Sequence, residues 1–74
     1  MDKGNLDQAI ANHERAVWLD PQDALAYANL GIAYANRGDG EKAVESLEKA
    51  LELGLPPGKV QEVEAVLEEL HRRG

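Results

Sequence analysis

With 74 residues the chain holds one small domain at most, and its core is modest unless something staples or partners it. Cysteine is absent, which excludes disulfides and thiol chemistry, and 14 acidic against eight basic residues leave a net charge of −6 without the basic patch that nucleic-acid binding needs. No run of about 20 apolar residues spans a membrane and no basic-then-apolar leader opens the chain, so the cytoplasm is the default expectation.

Turn chemistry punctuates the sequence at "KGN" (3–5), "DPQD" (20–23), "RGDG" (37–40) and "GLPPG" (54–58). Apolar residues at helical spacing between these turns predict four helices. The first covers 5–19, with Leu6, Ile10, His13, Ala16 and Val17 toward one side. The second covers 23–36 and carries Leu30, Gly31 and Tyr34; Asp20 or Asp23 caps its start, and Pro21 suits the entrance. The third covers 40–53, with Val44, Leu47, Ala50 and Leu51, and Asp39 as its expected cap. The fourth covers 58–73, with Val60, Val63, Val66, Leu67 and Leu70; Glu62 and Glu64 lie early and Arg72 and Arg73 last, complementing the helix dipole. Glu45–Lys49, Glu68–Arg72 and Glu69–Arg73 are spaced as ion pairs on solvated faces. Connections this short make consecutive helices antiparallel neighbours.

A shift of 34 residues maps the chain onto itself: Gly4 on Gly38, Ala9 on Ala43, Ala16 on Ala50 and Leu19 on Leu53, with Ile10 on Val44 and Val17 on Leu51 between them. A fixed period of this length signals stacked helical hairpins. A second echo, at a spacing of 36, places Tyr27, Leu30, Gly31 and Tyr34 on Val63, Val66, Leu67 and Leu70. Helices one and three are therefore one kind, two and four the other.

Residues Ala24–Pro57 resemble a tetratricopeptide repeat, through Tyr27, Leu30-Gly31 and Tyr34 on one helix, the Gly38-Asp39 turn, and Ala43, Leu47 and Ala50 on the next. The resemblance implies an all-α fold, with antiparallel hairpins stacked as a short right-handed solenoid. On this reading 1–23 is the second helix of a truncated repeat, 24–57 a complete repeat and 58–74 a C-terminal capping helix. An interior glycine costs a helix about 1 kcal/mol relative to alanine; here Gly31, Ala43 and Ala50 are expected to form a close helix crossing that offsets it. Gly31→Leu would be severely destabilising. Leu67 takes the equivalent place in the cap, where no close crossing is required. Gly40, where the family has an aromatic, His13, where it has a large apolar residue, and Leu55, where it closes on proline, depart from the pattern.

Helix one lacks its hairpin partner, so Leu6, Ile10 and Val17 are expected to face water in a monomer. Either the chain is an excerpt of a longer array or another copy covers that surface, as a homodimer formed by stacking or helix exchange. In the family, first helices line a concave groove for peptides or helices. Here that groove would take Leu25, Ala28, Asn29, Ile32, Ala35 and Asn36 as an apolar floor and Gln61, Glu64, Glu68 and His71 as an acidic wall, or the apolar stripe would be core. Asn29 fits one position of the family's carboxylate-binding subclass, but Ala28 stands at the lysine position, so no such clamp is expected. Trp18 either packs near Pro21 or is exposed to a partner. With Ser46 the sole hydroxyl of its kind and two distant histidines, no nucleophile–base pair and no metal or cofactor set exists in the sequence. The expected function is a non-enzymatic protein-interaction module, or else a structural, self-associating segment of a longer scaffold.

Overall fold

The computed structural model describes residues 3–73, which form four helices and, among those residues, no strand: α1 (Lys3–Leu19), α2 (Ala24–Arg37), α3 (Gly40–Leu53) and α4 (Pro57–Arg73). The turn expected at "KGN" is instead the first turn of α1. A glycine and an asparagine are tolerated there because the first N–H groups of any helix lack intrahelical partners.

Local chemistry sets the connections. The Asp23 side chain accepts from the Ala26 N–H at 3.1 Å and caps α2. Asp20 does not cap; its Oδ1 accepts from the Gln22 N–H at 3.2 Å inside the turn. At the other end of α2, Gly38 takes a left-handed conformation (φ 95°), its N–H donating to the Ala35 carbonyl at 3.1 Å while the Asp39 N–H reaches the Tyr34 carbonyl at 2.9 Å. Asp39 makes no side-chain cap for α3, contrary to expectation, because Arg37 Nε donates to its carboxylate at 2.9 Å. Of the expected surface pairs, Arg72–Glu68 and Arg73–Glu69 form at 3.2 and 3.4 Å, whereas Lys49 turns to Glu52 at 3.9 Å rather than to Glu45.

α2 packs most extensively on α3 and next on α1, while α4 lies against both α3 and α2. The result is a slab of 32 × 31 × 18 Å, two helices deep. Ala43, Leu47, Ala50 and Val63 are completely buried at its centre. A Cβ added to Gly31 would sit 2.6 Å from both Cγ and Cδ2 of Leu47 and 3.2 Å from the Ala43 carbonyl oxygen. The close approach is therefore to Leu47 and Ala43; Ala50 shares the core without being among the nearest atoms.

The expectation that Ile10 faces water is corrected: it is 3% exposed, and Leu6 and Val17 are half-buried. The helix that follows α1 covers this side. Two polar contacts fix the same interface, the Tyr34 hydroxyl donating to Glu14 and Arg37 Nη1 donating to Asp7 Oδ1 at 2.9 Å.

Candidate functional site

Leu25, Ala28, Ile32 and Ala35 are spaced three or four apart and so share one side of α2. In the fold that side turns toward α4. Ile32, Ala35 and Asn36 face Ala65, Val66, Glu69, Leu70 and Arg73 across an open cleft of about 270 Å³. Leu25 is 43% exposed and Asn29 is also exposed. Ala28 is corrected from groove lining to core, at 2% exposed, because its single methyl does not project beyond the side chains packed around it.

The α4 side of the groove is also corrected. Gln61, Glu64, Glu68 and His71 are exposed, yet none lines the cleft. The cause is the symmetry of a repeat: a translation carries each face to an equivalent face, so matching stripes on α2 and α4 look the same way rather than at each other. The α4 stripe thus looks away from α2. The wall that does face α2 is mixed in charge, because Glu69 is ion-paired with Arg73 at 3.4 Å and Arg72 at 3.7 Å. Of its members Val66 and Leu70 were visible in the apolar spacing; Ala65, Glu69 and Arg73 carried no signal beyond adjacency to them.

The residues expected at the hairpin contact lie along the α2–α3 interface: Leu30, Gly31, Tyr34, Ala43, Leu47 and Ala50 are buried and Tyr27 is half-buried. Tyr34 also organises the polar seam toward α1. Burial, then the hydrogen bond that its hydroxyl donates to the Glu14 carboxylate, push its pKa up to about 12. Arg37 Cζ and Lys42 Nζ each lie 5.7 Å from its ring centroid. The carboxylates of Asp39 and Asp7, in that order, raise the Arg37 guanidinium further.

Trp18 does not pack near Pro21; it is 79% exposed. Its 34-residue counterpart is Glu52, also exposed, and that match was the signal available in the sequence. A second concavity, of about 580 Å³, opens between the α2–α3 turn and the end of α4, lined by Gly38, Gly40, Glu41, Val44, Leu70, His71 and Arg73. Among the described residues no group of three His, Cys, Asp or Glu is placed to hold a metal, and no helix is long and apolar enough to cross a membrane.

Paired helices that recur at a fixed interval and cross tightly at a glycine define a helical-repeat protein. A TPR repeat family model matches residues 1–38, and a tetratricopeptide repeat model matches residues 24–53. The chain belongs to the tetratricopeptide repeat family, whose repeats mediate protein–protein interaction and scaffolding and are typically non-enzymatic. It is 43% identical to cellulose synthase operon protein C of Escherichia coli strain K12 over 53 residues, 72% of this chain and 5% of that protein. It is 36% identical to photosystem I assembly protein Ycf3 of Acaryochloris marina over 96% of this chain and 43% of that protein. The chain thus spans less than half the length of either relative.

Proposed function

We propose that this chain is a non-enzymatic interaction module that docks a peptide or an amphipathic helix in the cleft between α2 and α4. Residues 1–23 read as the second helix of one repeat, 24–57 as a complete repeat and 58–74 as a further helix packed on it. The observation that carries the docking site is the open apolar cleft itself: Ile32, Ala35, Val66 and Leu70 offer seats for aliphatic anchors, and Asn36 and the Glu69–Arg73 pair offer polar contacts at the rim. The relative named as an assembly protein supports an interaction role. Peptides selected from a displayed library on the wild type and then titrated against Ile32→Glu and Asn36→Arg test it. Both variants should weaken binding at least tenfold while circular dichroism stays unchanged; equal affinities would remove the cleft as the site. Asn36 is exposed, so its variant answers even where Ile32→Glu disturbs the core.

A second reading, a self-associating or scaffold-joining segment, is favoured by α1. Its Ala9, His13 and Ala16 remain half-buried, although their counterparts Ala43, Leu47 and Ala50 are completely buried in the core. A Ala9→Glu variant that lowers the mass measured across dilutions supports this reading.

A further inference from the structure

The cavity at the α2–α3 turn has a specific origin. The 34-residue shift places Gly40 where the preceding helix carries Leu6, which is half-buried against its neighbours. At Gly40 that side chain is missing, and a Cβ built there meets nothing within 4 Å. The space it leaves is the largest concavity described above, about 580 Å³, within the range of sites that hold bound groups. Its floor is apolar (Val44, Leu70), and its rim carries His71 and Arg73 opposite Glu41.

The same chain displays one large apolar side chain that its own fold does not use. Trp18 stands at a repeat position whose counterpart is the exposed Glu52, so nothing within a repeat is built to cover it. The turn beside it carries Asp20 and Asp23 and no basic residue, whereas the last turn of α4, beside the cavity, carries His71, Arg72 and Arg73, the two arginines also paired on the exposed surface with Glu68 and Glu69. Trp18 does not reach its own cavity. It lies at the α1–α2 turn, and the cavity lies at the α2–α3 turn, separated by the 14 residues of α2, or about 20 Å.

We propose that the Gly40 cavity is the receptor for Trp18 of a second copy of this chain. The indole fills the space left by the missing side chain, its face meets the His71 and Arg73 side chains at the rim, and Asp20 and Asp23 approach the basic end of α4. The contact joins unlike surfaces, so copies add head to tail. The cavity shares Leu70 and Arg73 with the α2–α4 cleft, but Trp18 and Gly40, on which its test is read, lie outside that cleft.

Trp18 is the only tryptophan, so its emission reports the contact directly. Emission and sedimentation mass are followed together over a dilution series. At high concentration the wild type should show a blue-shifted emission in step with a mass above the monomer. Gly40→Phe and Gly40→Leu, which fill the cavity from within, should keep both the exposed-indole emission and the monomer mass at every concentration, with helicity retained. Trp18→Ala should remain monomeric. An exposed-indole emission at all concentrations in the wild type overturns the proposal. So does a blue shift that both Gly40 variants leave unchanged, and so does association through the Ala9 face, which grows the mass while leaving Trp18 in water.

Discussion

Gly31 and Gly40 are chemically identical and stand at the two extremes of what a missing side chain does. At Gly31 an added methyl gains about 1 kcal/mol of helix propensity. It must also enter a space where Leu47 Cγ stands 2.6 Å away, and Leu47 is completely buried. Overpacking of that kind costs about 1–3 kcal/mol, so the clash outweighs the propensity. Gly31→Ala is expected to lose up to about 2 kcal/mol net, read as a lower urea midpoint. Gly40→Ala meets nothing within 4 Å and is expected to gain up to about 0.5–1 kcal/mol in the same measurement. The sequence showed that Gly31 needed a reason, because an interior helical glycine is disfavoured. It did not separate Leu47 from Ala50 as the neighbour, since both lie on the same face and only the angle of the crossing brings one of them closer.

Between elements, the α1–α2 seam depends on polar pairs that join residues far apart in sequence: Tyr34 to Glu14 and Arg37 to Asp7. The helices themselves follow from apolar spacing and turn chemistry, and all four were legible that way. The pairs were not, because periodicity fixes the face a residue occupies but not the register of one helix against another. Arg37 illustrates the consequence, taking Asp39 out of the capping role that local sequence assigned it. The Tyr34 hydroxyl carries a pH signature. Its pKa rises from 10.0 to about 12 on folding, so the native state holds the phenolic proton more tightly than the unfolded chain. The resulting stability is fully present below pH 10 and is lost as pH rises from 10 toward 12, by about 1 kcal/mol at pH 11. Urea midpoints at pH 8 and pH 11 should therefore converge for the wild type and Tyr34→Phe as the pH rises. A constant difference between them would show that the hydroxyl does not titrate against the fold.

At the scale of the whole molecule, the two equivalent stripes of α2 and α4 have opposite chemistry because they have opposite neighbours. Leu25, Ala28, Ile32 and Ala35 turn toward α4, which covers part of them; Gln61, Glu64, Glu68 and His71 turn away from α2 and are exposed. The 36-residue echo made this correspondence legible, but it does not say whether two matching faces meet or look the same way. Translation along a stack requires the second, and the charged stripe is then a solvated face of α4. The stripe's polarity, rather than any contact it makes, is expected to disfavour docking of a further helix on this face. Replacing most of it with the α2 set, as Gln61→Leu, Glu64→Ala and Glu68→Ile together, with His71 kept because it lines the Gly40 cavity, removes no buried contact and adds better apolar cover for a docking helix. This variant is expected to keep its helicity and to associate at concentrations where the wild type does not, measured as mass by light scattering. If its mass matches the wild type at every concentration, the polar stripe is incidental and the limit on stacking lies elsewhere, at the bulk of Leu67, where the equivalent position in α2 has only the hydrogen of Gly31.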